Sequence, residues 1–148
     1  MPRFKVPVAV VVMITRVCGG KRQLLLQRRS NTGFGDGKWD FACSGHVEEG
    51  ERLRETCVRE CREELGISSK PEDFTFFTLI YKRDPGATYV NAYFCLTEYS
   101  GTPSVCEESK CSALGWFDES ALPHDLLDDR RLALDCFLKN EHFAEYFV

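Results

Sequence analysis

Several chemistries are excluded by what the 148 residues do not contain. There is no G-x-S-x-G motif and there are only three histidines, so acyl transfer by a serine, histidine and acid set has no support. No glycine-rich Walker loop is present, so phosphates are not cradled by backbone amides in the P-loop manner. No CxxC pair occurs and no Cys/His set has zinc-like spacing. No apolar run reaches 18 residues, so no membrane span is expected. Basic charge is in deficit: 19 Lys and Arg face 23 Asp and Glu, for a net charge of −4. That balance argues against a nucleic-acid groove or another broad polyanion surface, while a small anion held by metal and a few arginines stays open. Repeats, low-complexity tracts and linkers are also missing.

What is present suits one domain over residues 1–148, with 43% hydrophobic and 28% charged residues. Eight cysteines, at 18, 43, 57, 61, 95, 106, 111 and 136, are read as reduced core thiols of a cytoplasmic protein. The opening MPRFKVPVAVVVMITRVC has a short, β-branched apolar run followed by GGKR, which reads as a first strand rather than a secretory leader.

In chain order, Lys5 to Thr15 is a near-continuous β-branched run suited to a strand buried on both faces. Gly19-Gly20 turns it into a returning strand, Gln23 to Arg28. Ser30 to Lys38 is a loop that walls a binding site or simply connects, with Phe34 or Trp39 available to stack on a ring. Arg28 or Arg29 would contact phosphate, and only one of them, because adjacent strand residues face opposite ways. Trp39 to Ser44 is a short strand leading to Gly45. Phe74 to Lys82 and Thr88 to Glu98 form a second hairpin about Arg83 to Gly86, in which Pro85 is a turn residue and Tyr81 and Tyr89 are strand residues. Ser112 to Phe117 is a strand, Asp118 to Pro123 starts a short helix, and Asp128 to Lys139 is a long amphipathic helix. The aromatic tail from Glu141 packs onto the body or covers a homodimer face.

The chemistry concentrates in Gly45 to Ile67, GHVEEGERLRETCVRECREELGI. A helix beginning near Glu51 puts Glu60, Glu63 and Glu64 on one face, since positions 0, 3 and 4 cluster at about 3.6 residues per turn. Like charges so placed repel, and of the nearby arginines only Arg59 borders the acidic face. A hard divalent cation, Mg²⁺ or Mn²⁺, is what clustered carboxylate oxygens prefer. Leu53, Cys57, Val58, Cys61 and Leu65 form an apolar stripe centred about 100° away, so one face packs while its neighbour looks into a cleft. Gly66 suits a left-handed helix end.

Gly45, Glu51, Arg59, Glu60, Cys61, Glu63, Glu64, Gly66 and Ile67 fill every fixed position of G-x5-E-x7-R-E-U-x-E-E-x-G-U, U being apolar. The segment thereby resembles the box of the Nudix hydrolases, MutT-like members in particular. The resemblance implies an α/β/α sandwich with a mixed sheet. It also implies a Mg²⁺- or Mn²⁺-dependent hydrolase that cleaves a pyrophosphate linkage in a nucleotide-type small molecule. It assigns metal ligation to Glu60, Glu63 and Glu64, with Glu60 as first choice for general base and Glu64 as the least dispensable ligand. Arg59 would orient a carboxylate, with Glu51 as its structural partner beside the box glycines Gly45 and Gly66. The Ser44 carbonyl is a further ligand candidate, although Cys43-Ser44-Gly45 stands where many members have Pro-Gly-Gly. The register of KCSALGWFDESALP with the family nominates Glu107 as an extra ligand. Two rivals remain. WDFACSGHV has some flavour of isopentenyl-diphosphate isomerases, and a catalytically silent binding module would share the fold, though such modules usually lose box acids. The substrate is expected to be chosen by residues 30–39 and 82–88.

Overall fold

The computed structural model describes residues 1–148. Its spine is β1 (Val8–Cys18), and the β-branched run is explained by what each face of that strand meets. Val10, Val12 and Ile14 enter one core with Cys57, Cys61 and Leu65 of α1 (Leu53–Leu65). Val11 and Met13 enter another with Ala133 and Leu134 of α2 (Asp128–Lys139). Both sets of alternating side chains are therefore buried, one under each helix, and the molecule is an α/β/α sandwich.

The sheet is mixed, and β1 belongs to two parts of it. Its first half pairs antiparallel with β4 (Cys43–His46) and parallel with β6 (Ala87–Leu96), from Val8 opposite Val90 to Ile14 opposite Leu96. β6 pairs antiparallel with β5 (Phe74–Asp84), which pairs in parallel with β8 (Phe143–Phe147). Its last residues, Thr15 to Cys18, turn instead to β2 (Lys21–Arg29), which carries β3 (Trp39–Phe41) and β7 (Cys111–Asp118). The change of partner along β1 brings β4 and α1 beside the ends of β2 and β7, and the cleft described below forms there.

Some local expectations are revised. The single strand expected over Trp39 to Ser44 is two, broken at Ala42, because its first half pairs with β2 and its second with β1. The helix starts at Leu53 rather than near Glu51, with the Glu55 carboxylate accepting the Arg52 N–H at 2.8 Å. Leu53 does not belong to the packed stripe, being 37% exposed. Glu119–Ala121 is only a single 3-10 turn. Gly66 ends α1 with φ +70°, its N–H bonded to the Arg62 carbonyl, as a left-handed cap requires. The tail becomes β8, with Phe143 and Phe147 still exposed. All eight cysteines are free thiols, four of them buried, and burial pushes the Cys43 and Cys57 thiols up, which keeps them protonated. No helix is long and apolar enough to cross a membrane.

A buried charge network that sequence patterning did not reveal ties five elements together. Asp40 on β3, fully buried, accepts from Arg130 Nε of α2 at 2.6 Å and from Arg29 Nη1 of β2 at 2.7 Å. Arg130 also donates to Tyr93 Oη of β6 at 2.8 Å and to Asp129 at 3.1 Å, and Asp129 meets Lys82 Nζ of β5 at 3.1 Å. Removing one partner strands a desolvated charge, which costs more than the pair contributes. Asp40→Ala is therefore expected to lower the unfolding free energy by about 3–5 kcal/mol in urea titration; a loss under 1 kcal/mol would show that Arg130 finds other partners.

Candidate active site

A cleft of about 670 Å³ opens between the polar face of α1, the end of β4 and the loop before β7. Glu60, Glu63 and Glu64 line it from the helix, Glu107 from the loop, and Arg29 from β2.

The local fold that holds these acids centres on Arg59. Its guanidinium grips Glu51 with Nε at 2.7 Å and Nη2 at 3.0 Å, a bidentate pair, while Nη1 donates to Glu60 at 2.8 Å and approaches Glu63 at 3.4 Å. Nη2 also donates to the His46 carbonyl, tying α1 to the end of β4. Glu51 accepts in addition from the Glu48 N–H and the Thr56 hydroxyl, so the loop before the helix is fixed to its first turns. These donors, Arg59 foremost, hold the Glu51 carboxyl down at about 2.

Gly45 is required for a different reason. A Cβ built on it would lie 2.1 Å from Glu60 Cδ, so the missing side chain is the space the Glu60 carboxylate occupies. Glu64 receives the Ser44 N–H at 3.3 Å, and no Lys, Arg or His comes within salt-bridge distance of it. Burial, followed by repulsion from Glu60, pushes its carboxyl up to about 9. Burial raises Glu60 as well, against the lowering pull of Arg59. These carboxylates are thus short of positive charge, and their hard oxygen donors fit a divalent cation. The fit is open rather than caged, since no three acidic, histidine or cysteine side chains are drawn into a ready coordination cluster. Glu63 leans on Arg59 with its side chain 52% exposed, and Glu107 is engaged by Lys110 at 3.6 Å.

A model of the NUDIX domain matches residues 7–137. The chain belongs to the Nudix hydrolase family. It is 33% identical over 106 residues to the dihydroneopterin triphosphate diphosphatase of Escherichia coli, a match covering 63% of this chain and 67% of that one. It is 32% identical over 97 residues to the 8-oxo-dGDP phosphatase NUDT18 of Danio rerio, covering 62% of this chain but only 28% of that protein's length. Among solved structures, the MutT NUDIX hydrolase of Burkholderia pseudomallei superposes with a TM-score of 0.78 at 29% identity, covering 89% of this chain and 98% of that one.

Within this Nudix frame, the residues nominated from sequence separate into two groups. Glu60, Glu63, Glu64, Glu107, Arg59, Ser44, Gly45 and Arg29 all line the cleft. Arg28 and Trp39 do not. Arg28 lies on the other face of β2, exposed and bonded to the Gly37 carbonyl, while Trp39 packs edge-on against Phe117 at 4.9 Å. Phe34 stands apart from the carboxylates and lines an adjoining cavity with Lys82, Asp84 and Asn91. Those three were not singled out from sequence; the expectation that residues 82–88 bear on the substrate was the only pointer to two of them.

Gly45→Ala is expected to drive Glu60 off its seat and cost about 1–3 kcal/mol of stability by overpacking, read by thermal unfolding; an unchanged midpoint would show that the space is not needed. A second expectation concerns pH. In chelator, between the ordinary value of 4.5 and about 9, folded Glu64 retains a proton that the unfolded chain releases. The unfolded state then binds fewer protons, so stability falls as pH rises through that window, with a limiting slope of about 1.4 kcal/mol per pH unit from this group. Urea titrations at pH 5, 7 and 9 are expected to show that fall, flattened in Glu64→Gln; identical slopes in the two proteins would contradict it.

Proposed function

We propose that this Nudix protein hydrolyses a pyrophosphate linkage in a nucleoside di- or triphosphate-type substrate, with Mg²⁺ or Mn²⁺ as cofactor. The observation that carries the reading is that, of the cations lining the cleft, only Arg59 reaches Glu60 and none reaches Glu64, while burial holds both carboxyls above their ordinary range. Surface acids with only a solubility role would not be placed so.

Glu60, Glu63 and Glu64, with Glu107 and the Ser44 carbonyl beside them, would hold the ion or ions. Bound divalent metal neutralises the diphosphate and acidifies a water. The chain's own groups do the rest. Arg59 orients Glu60 through the 2.8 Å bond, and Glu60 takes the proton of the water that attacks phosphorus. The new P–O bond forms as the bridging P–O bond between the two phosphates breaks, and the departing phosphate leaves with the bridging oxygen. Arg29 commits Nε to the Phe34 carbonyl and one Nη1 hydrogen to Asp40, which leaves further guanidinium donors for a phosphate oxygen. The names of the two relatives, one acting on 8-oxo-dGDP and one on dihydroneopterin triphosphate, support a substrate built of a phosphorylated heterocycle.

The test is a panel of nucleoside triphosphates, oxidised nucleotides, dinucleoside polyphosphates and ADP-ribose, assayed with Mg²⁺ and with chelator for phosphate and pyrophosphate release. Metal-dependent release is expected, with Glu60→Gln and Glu64→Gln each lowering kcat by about 100-fold or more. No turnover of any compound would sink the hydrolase reading, and turnover indifferent to both substitutions would sink the site.

A further inference from the structure

Next to the carboxylate cleft, and sharing Arg29 and Ser44 to His46 with it, lies a second cavity of about 390 Å³. This is within the range of about 300–1,000 Å³ typical of small-molecule sites. Its lining is unlike the first: an exposed aromatic ring, a buried lysine, a half-buried aspartate and a buried amide. Phe34 is 42% exposed, and its ring is held by two cations, with Lys82 Nζ at 4.4 Å and the Arg29 guanidinium at 5.4 Å from its centroid. Lys82 and Asp84 stand two residues apart on β5 and so face the same way, 3.5 Å from each other. Asn91 on β6 is 6% exposed, and no hydrogen bond within the protein engages its amide. The amide is not an orphaned buried group, since its polar atoms stay open to the cavity, where they are free to bond a ligand.

We propose that this cavity takes the heterocycle of the substrate, and that Lys82 and Asp84 select a ring with the 2-amino-4-oxopyrimidine edge shared by guanine and the pterins. The inference rests on the proposed function, because the shared wall at Ser44 to His46 places the ring beside the carboxylates that would handle its phosphates.

That edge presents a carbonyl oxygen, a ring N–H and an exocyclic N–H in a row. The Asp84 carboxylate accepts two parallel N–H donors, and an N–H of Lys82 not committed to Asp129 meets the carbonyl. Adenine offers the opposite pattern at the same positions: an amino group where the carbonyl stands, and a lone pair where the ring N–H stands. Lys82 would then face a donor and Asp84 a lone pair, and the buried polar groups left unpaired reject the wrong ring. Asn91 carries both a donor and an acceptor, so it adds affinity for either ring and selects neither. Phe34 stacks on any flat ring and adds affinity alike for all.

The test is calorimetric binding of the α,β-methylene triphosphates of guanosine and adenosine with Mg²⁺, which reads ring choice without turnover. The guanosine analogue is expected to bind tenfold or more tightly than the adenosine analogue. Asp84→Asn is expected to collapse that ratio toward one, while Phe34→Ala weakens both analogues by similar factors and keeps the ratio. Displacement of the guanosine analogue by neopterin would identify a pterin as a source of the edge, and no displacement would restrict it to guanine. Equal affinity for the two analogues, binding of neither, or a ratio untouched by Asp84→Asn would overturn the inference. Tight, selective binding with no hydrolysis of the natural triphosphates would instead overturn only the proposed activity.

Discussion

Arg59 places one guanidinium within reach of four carboxylates, those of Glu48, Glu51, Glu60 and Glu63, while a fifth, Glu64, has no cationic neighbour at salt-bridge distance. The rest of the site follows from that shortfall. The bidentate bond to Glu51 fixes the guanidinium, the bond to the His46 carbonyl fixes the helix to β4, and the remaining N–H aims Glu60 across the gap left by Gly45. A second cation bonded to Glu60 or Glu64 would offset that shortfall, but Arg29 and Lys110, which also line the cleft, are bonded to Asp40 and Glu107 instead. One positive charge arranges the acids without quenching them.

The fold supplies the rigidity this requires. Because β1 is buried under both helices, α1 cannot slide over the sheet without exposing Cys57, Cys61 and Leu65. On the opposite face the buried pairs of Asp40, Arg130, Asp129 and Lys82 join β3, α2 and β5, and through Arg29 they reach the cleft. Arg29 of the cleft and Lys82 of the adjoining cavity are thus anchored to one network rather than to separate loops.

How far the sequence could be read depended on whether a feature was local. The 3.6-residue spacing of the acids, the bounds of α2 and the glycine ending α1 are short-range signals and appear where periodicity placed them, while β1, expected over Lys5 to Thr15, runs three residues later, from Val8 to Cys18. The break at Ala42 was hidden because it arises from two different partner strands, and no local residue marks such a choice. Trp39 looked like a stacking platform because an aromatic beside a loop has the same local pattern whether it faces a ligand or, as here, Phe117. The parallel pairing of β8 with β5 was equally invisible. So was the Asp40–Arg130 bond, which joins residues 90 positions apart. The cavity beside the cleft was legible only as two segments, 30–39 and 82–88, because which side chains converge across strands is not a local signal.

Glu60 and Glu64 are buried acids between which the protein supplies one bonded guanidinium, an arrangement that leaves charge for a metal ion to meet. Titration of Mn²⁺ into metal-free protein at pH 7, by calorimetry in two buffers of different ionisation enthalpy, tests it most directly. Binding is expected with proton release, because a carboxyl held up at about 9 must give up its proton to become a ligand. Both the binding and the release are expected to be lost in Glu64→Gln. Binding with no buffer dependence, or binding equally strong in Glu64→Gln, would contradict it.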